Sequence, residues 1–302
     1  MELRHLRYFC AVAVEKNLTR AAEKLFIAQP PLTRQIKQLE EELGVQLFER
    51  HSRGLTLTPA GEYFWEQAKQ MLAKADTVVE NTRRIAENQK TVFSIGFVPS
   101  VFYGQLPSLV RDLRQQTKAD ILLHDLKTGE QIEALKTGKI DIGFGRLTIP
   151  DEQVEQTILF NEPLLVALHI GHSLLKKGEP TLEELAKIPM ILYPANQSAT
   201  PTFADICLSL FTSRGLATKV TQQVNDLQTA LGLVASEMGF ALVSEQVKHF
   251  GRDDLVFIPL RDKSITSPVI FSRRKEPMDA ITALAVEILK SLVENRQSDQ
   301  YR

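Results

Sequence analysis

Within residues 26–44, FIAQPPLTRQIKQLEEELG, the apolar residues Leu32, Ile36, Leu39 and Leu43 recur at i, i+4, i+7 and i+11, one stripe of an amphipathic helix. Pro30 and Pro31 suit its first turn, because proline lacks the N–H that would go unpaired there and its φ is already near the helical value. The other face carries Thr33, Arg34, Lys37 and Gln38, with Gln29 just ahead. Arginine and glutamine match the edges of guanine and adenine, and a helix N-terminus matches phosphate. Taken alone, that face fits a solvated helix at least as well. Its neighbours change the balance. LRYFCAVAVEKNLTRAAEKLFI predicts a helix with Leu6, Phe9, Val12 and Ala13 inward, a polar break at Lys16–Asn17, and a short helix from about Thr19 to Leu25. The small Ala21 and Ala22 allow another helix close, so the pair reads as a helix-turn-helix. Downstream, Val45–Leu47–Phe48 and Leu55–Leu57 alternate like strands around the basic turn His51–Ser52–Arg53–Gly54. That pattern predicts a hairpin wing with Arg53 at its tip, able to reach phosphate or a minor groove.

Residues 59–90 change period. Pro59 suits a helix start, and Phe64, Ala68, Met71, Ala75, Val78, Thr82 and Ile85 then step by 4, 3, 4, 3, 4 and 3 to about Asn88. This is an a/d seam, expected to pair two copies of one long helix. From residue 91 strand-like and helix-like runs alternate, which predicts an α/β domain with mostly parallel sheets. The strands read as VFSIGFV, ADILLHDL, KIDIGFGR, PLLVALHI, PMILYP, GFALVS, LVFIPL and SPVIFSRR. They are too many for one compact sheet, so two lobes are expected.

The stretches LRYF, AAEKL, QPPLTRQIKQLEEELGVQLFER and LTPAG resemble the N-terminal winged helix-turn-helix of the LysR-type transcriptional regulators. Ala28 departs from that pattern, standing where many members carry a helix-capping serine worth about 1 kcal/mol. The resemblance implies a DNA-binding domain at 1–58, a dimerising linker helix at 59–90 and an effector-binding domain at 91–302. Gln29, Pro30, Thr33, Arg34, Lys37 and Arg53 would then meet double-stranded DNA. The effector domain would resemble type 2 periplasmic binding proteins, with lobe I at 91–162 and 265–302, lobe II at 163–264, and a ligand in the cleft.

In such a cleft the ligand-facing residues sit at strand ends and helix starts. Ser100, Thr128, Arg146 and the TPTF stretch Thr200–Phe203, including Thr202, occupy such places. Hydroxyls, helix N-termini and an arginine, the one cation among them, make a carboxylate-binding constellation. These stretches resemble the muconate-responsive subgroup, regulators of catechol and benzoate catabolism, in which the matching positions contact cis,cis-muconate. The same resemblance adds Pro201 and Leu227 as apolar walls. Against this, Ser100 and Thr128 also fit plain N-caps, and Arg146 an inter-lobe salt bridge. Pro99 stands where the subgroup has glycine, and Phe160 and Val293 stand where a member with a second benzoate site has an arginine and a tyrosine. The family further implies a homotetramer on an interrupted palindrome, RNA polymerase as a partner, and activation of a catabolic operon.

Charge adds a constraint. The chain of 302 residues carries a net −1, and residues 1–58 hold nine Lys and Arg against seven Asp and Glu, leaving +2. DNA affinity must therefore come from placed cations and multivalency. Cys10 and Cys207 lie far apart among apolar neighbours and are expected as buried free thiols of a reducing compartment. No signal-peptide core or bilayer-length apolar run is seen, which points to a cytoplasmic protein with no membrane partner. Gly-rich phosphate loops, nucleophile elbows and cysteine pairs are missing. His169 and His172 in HIGH lack a third ligand. No catalytic residue, metal or cofactor is expected. The rival readings are a transport solute-binding protein and an enzyme.

Overall fold

Helix α1 (Leu3–Glu15) stops where Lys16 turns to φ 50°, and Asn17 opens α2 (Leu18–Lys24) by accepting from the amides of Thr19 and Arg20 at 2.9 and 3.1 Å. The computed structural model describes residues 1–51, 54–86, 91–195, 201–250, 252–275 and 277–300. It divides into two units, residues 1–89 with 137–139, and the remainder.

In the first unit α2 ends in an unusual way. Phe26 N–H donates to the Glu23 carbonyl and Ile27 N–H to that of Ala22, at 3.1 and 3.0 Å, with Phe26 at φ 56°. This is the left-handed cap that glycine normally fills. Helix α3 (Gln29–Leu43) begins after Ala28, whose side chain supplies no cap, and closes on Gly44 at φ 71°. Strands β1 (Phe48–His51) and β2 (Gly54–Leu57) pair antiparallel from Phe48↔Leu57 to His51↔Gly54, so the hairpin is present. Its tip residues Ser52 and Arg53 lie outside the described residues. Leu6, Phe9, Val12, Ala21, Leu32, Ile36 and Leu39 form the core, but Leu43, expected on the same stripe, is 37 % exposed at the helix end.

Helix α4 (Pro59–Ala86) starts under Thr58, whose Oγ1 accepts from the Gly61 amide at 2.9 Å. A Cβ at Gly61 would stand 2.0 Å from the Leu47 carbonyl oxygen, so only glycine lets this helix approach the wing. The seam is shorter than its spacing suggests. Phe64 packs on Phe9 at 5.0 Å and Ala68 is fully buried, so the first heptad belongs to the core of its own chain. Met71 and Val78 remain 46 and 53 % exposed. The side chain of Ile85 is outside the described residues.

The second unit contains β3 (Val92–Phe97), α5 (Pro99–Phe102), α6 (Leu106–Gln116), β4 (Asp120–Asp125), α7 (Thr128–Lys136) and β5 (Ile142–Gly145). Next come β6 (Val154–His169), α8 (Leu182–Leu185), β7 (Pro189–Leu192), α9 (Phe203–Thr212), β8 (Lys219–Gln223) and α10 (Leu227–Ala235). The chain ends with β9 (Ala241–Ser244), β10 (Leu255–Pro259), β11 (Thr266–Arg274) and α11 (Ala280–Gln300). One face-to-edge path runs β4–β3–β5–β11–β6–β10, with β9 also on β6. β3 is parallel to β4 and β5, and β7 to β8, but every pairing of β6 and β11 is antiparallel. The sheets are therefore mixed, not mostly parallel, because the chain crosses and returns on two long strands. β6 begins nine residues before the apolar run PLLVALHI, through a half-exposed stretch. It leaves one core, where Leu159 and Phe160 pack near Phe93, Ile95 and Phe144, and enters a second with Leu164–Leu168, Phe211 and Phe240.

Candidate functional site

On α3 the outward face is polar and open. Arg34 is exposed and makes no hydrogen bond or ion pair to any described residue. Lys37 Nζ lies 3.5 Å from Glu41, an exposed pair worth roughly 0–1 kcal/mol and readily given up. Thr33 Oγ1 donates to the Gln29 carbonyl at 3.1 Å, and Gln29 Nε2 reaches Thr33 at 3.5 Å. Pro30 is exposed beside them. The prolines also correct the expectation of a phosphate-binding helix start. Of the first three helical residues only Gln29 keeps an N–H, so the backbone offers far less to an anion than an ordinary N-terminus does. Glu40, which the sequence pattern did not single out, ties the helix to the wing. Its Oε1 accepts from the amides of Leu47 and Phe48 at 2.8 and 3.1 Å.

In the second unit the C-terminal ends of β3, β4, β5 and β7 meet the N-termini of α5, α7, α9 and α10 around a cavity of about 270 Å³. Ser100, Thr128, Arg146, Pro201, Thr202, Phe203 and Leu227 all line it. Thr200 lies outside the described residues. Helix α7 is fixed there by Gln131, fully buried, whose Nε2 donates to the carbonyls of Leu126 and Phe144 at 2.8 and 3.0 Å. A Cβ at Gly145 would stand 2.8 Å from both Thr128 Oγ1 and Cγ2, so glycine there admits the threonine. Thr128 Oγ1 in turn accepts from the Arg146 amide at 3.5 Å.

Arg146 is not free to serve a ligand alone. It is 2 % exposed, its Nη2 donates to Glu162 Oε2 at 2.6 Å, and Glu162 is 1 % exposed. Its Nε donates to Ser100 Oγ at 2.6 Å, and Nη1 reaches only Ser267 Oγ at 3.5 Å. The arginine is thus a structural ion-pair partner that keeps donors at Nη1. Glu162 also faces Arg296 at 3.7 Å, and Arg296 lies 4.0 Å over the Phe160 ring. Nor is Arg146 the only cation, since Lys127 also lines the cavity. Three carboxylates join them. Asp226 caps α10 by accepting from the Thr229 amide at 2.8 Å, which holds its carboxyl below the usual range. Glu130 accepts from the Lys127 amide at 2.9 Å. Asp125 is pushed up, first by burial and then by the Glu130 charge.

Two sequence families match this chain: "Bacterial regulatory helix-turn-helix protein, lysR family" over residues 3–62 and "LysR substrate binding domain" over residues 86–293. The chain belongs to the LysR family of transcriptional regulators. The regulator is 44 % identical to HTH-type transcriptional regulator CatR of Pseudomonas putida, over 97 % of its own length and 100 % of that protein's. It is 43 % identical to HTH-type transcriptional regulator BenM of Acinetobacter baylyi, over 91 % of its own length and 90 % of that protein's. Among solved structures it resembles full-length CbnR complexed with target DNA, at 31 % identity and TM-score 0.66, covering 97 % of the regulator and 100 % of that chain. It also resembles the BenM effector binding domain with its effector benzoate, at 33 % identity and TM-score 0.61, covering 70 % of the regulator and 93 % of that chain. The family is non-enzymatic, and LysR regulators bind DNA and a small-molecule effector.

The regulator's remaining candidate groups have ordinary local roles. His172 Nδ1 accepts from the Leu174 amide at 3.2 Å and His169 Nδ1 from the Gly171 amide at 3.1 Å. Cys207 is buried, but Cys10, expected to be buried, is only half-covered; burial nonetheless pushes its thiol up to about 11. No helix among the described residues is long and apolar enough to cross a membrane.

Proposed function

We propose that this regulator acts in the cytoplasm, binds an interrupted palindromic operator through Gln29, Pro30, Thr33, Arg34, Lys37 and Arg53, and activates an operon for breakdown of aromatic compounds. Its effector is a small carboxylate such as cis,cis-muconate, held by Ser100, Thr128, Arg146, Pro201, Thr202, Phe203 and Leu227. Two copies pair through the exposed part of α4, and two such dimers form the tetramer that presents DNA-bound promoter to RNA polymerase. The observation that carries the reading is the cavity itself. Hydroxyls, four helix N-termini, Lys127 and the spare donors of Arg146 converge on a space of about 270 Å³. That space falls just below the roughly 300–1,000 Å³ typical of ligand pockets, which suits a compact acid and not a dinucleotide. The benzoate of the BenM effector binding domain agrees with that chemistry.

The effector works by population shift: it favours the lobe arrangement whose two walls it bridges, and the DNA-bound state with the matching geometry gains population. Calorimetric titration of the full chain with cis,cis-muconate and with benzoate, followed by footprinting on the promoter beside its gene, tests this. Binding of one acid and an altered footprint are expected. Absence of binding by either would overturn the effector class, and absence of a protected palindrome would overturn the operator.

A further inference from the structure

Leu47, the residue just ahead of β1, joins two helices through its own peptide groups. Its N–H donates to Glu40 Oε1 on α3 at 2.8 Å, and its carbonyl accepts from the Thr58 amide, just ahead of α4, at 3.0 Å. The ties are doubled on both sides. On α3, Glu40 Oε1 also takes the Phe48 amide at 3.1 Å, and the Glu40 carbonyl accepts from the Val45 amide at 3.2 Å. On the α4 side, Thr58 Oγ1 donates to the Gln46 carbonyl at 2.8 Å and accepts from the Gly61 amide at 2.9 Å. Leu47 and Phe48 are 1 and 7 % exposed, so this node lies in the core and not on a loose turn.

The other contacts that hold α3 and α4 in this unit are apolar. Ile36 and Leu39 of α3 share one core with Phe64 and Ala68 of α4, by way of α1. Apolar burial is non-directional, so it keeps helices together without fixing the angle between them. Hydrogen bonds are directional, and those made to a carboxylate are roughly twice as strong as neutral ones. Among the described residues, Glu40 is the one side chain of α3 that hydrogen-bonds to the segment between the two helices.

We propose that Glu40 is a positioning residue: through Leu47 it fixes the angle between α3 and α4, and with it the half-site spacing that the dimer accepts. This goes beyond the dimeric operator reading above and rests on it. In two copies joined along α4, a tilt of α3 against α4 is repeated by the symmetry, so the two reading helices shift together. Half-site spacing is a geometric property of that pair. One inserted base pair moves a half-site by about 3.4 Å and turns it by roughly 35°, so a rigid pair tolerates few changes.

The test uses the full-length chain on the promoter palindrome and on versions with one or two base pairs added or removed between the half-sites. Gel-shift titrations give the affinity ratio across spacings, and melting of the free protein gives stability separately. The parent is expected to favour one spacing by at least about tenfold, since joint engagement is lost where geometry forbids it. Glu40→Ala is expected to cut that preference to about threefold or less, while still preferring the half-site sequence over a scrambled one. Glu40→Gln keeps an oxygen able to accept both amides and is expected to restore the parent's ratio. Thr58→Ala cuts the tie from the α4 side, should flatten the profile likewise, and decides the matter if Glu40→Ala does not fold. An unchanged spacing profile beside a lowered melting temperature would make Glu40 merely structural and overturn the proposal. Equal losses at every spacing would overturn it too. A parent that protects a palindrome but ignores its spacing overturns this proposal alone, whereas a parent that protects none overturns the operator reading as well.

Discussion

Arg34 and Arg146 show how the same residue type carries opposite prospects in two settings. Arg34 is open and unpaired, so its guanidinium can move to a base edge without breaking anything. Arg34→Ala is expected to cost about 1–3 kcal/mol of operator binding and to relax preference at one base pair, with less effect on random DNA. Competition binding against both DNAs measures it, and equal losses would reassign Arg34 to phosphate. Arg146 is buried against Glu162. Arg146→Met would leave that carboxylate only its longer contact to Arg296 at 3.7 Å and is expected to destabilise the effector domain by about 3 kcal/mol, since breaking a buried pair leaves a poorly compensated charge. Arg146→Met/Glu162→Leu removes both charges and should regain most of the loss. Chemical denaturation of the two variants decides, and equal stability of the single variant and the parent would refute the ion-pair role.

Among elements, α4 changes character along its length. Its first turns complete the core of its own chain, with Phe64 against Phe9 and Ala68 fully buried. Farther on, Met71 and Val78 are left open at 46 and 53 %. Heptad spacing alone made these stretches look alike, because a seam position packs equally well against a neighbouring helix of its own chain. Val78→Asp is expected to leave the fold intact, the side chain being exposed in the single chain, yet to put a carboxylate into the paired seam on both copies. Light scattering across a concentration series should then report a shift from dimer or tetramer to monomer. A variant that stays dimeric would place the interface elsewhere.

For the whole molecule, charge sets the terms of DNA binding. Residues 1–58 carry only +2 and the prolines of α3 withhold two backbone donors, so one copy has little non-specific hold on the duplex. On the proposed dimeric reading, operator affinity would come from two half-sites held at once. The monomeric Val78→Asp chain should therefore lose at least about a hundredfold in operator affinity, the scale of an avidity effect. Its dependence on salt should also be shallower, as fewer phosphates are neutralised. Gel-shift titrations at two salt concentrations read both. An operator affinity equal to the parent's would mean that a single copy suffices.

The division of labour between sequence and fold follows from the range of the forces. Local periodicity, proline placement and turn chemistry are short-range, and they were enough to set out the helix-turn-helix, the hairpin, the long helix and the α/β alternation. Family resemblance supplied the cleft and added Pro201 and Leu227 as its walls, while places at strand ends and helix starts singled out Ser100, Thr128, Arg146, Thr202 and Phe203; no local period brings the seven together. What stayed hidden depends on partners distant in the chain. The first half of β6 looks like a loop because few of its residues are buried and the strand that pairs its backbone, β11, lies more than a hundred residues on. The polar strand β8, KVTQQ, exists only because β7 offers it a parallel edge. Lys127 on the cavity wall and Glu162 behind Arg146 join the site through the same long-range packing. Burial, which decides whether a charge must be paired, belongs to the tertiary structure alone.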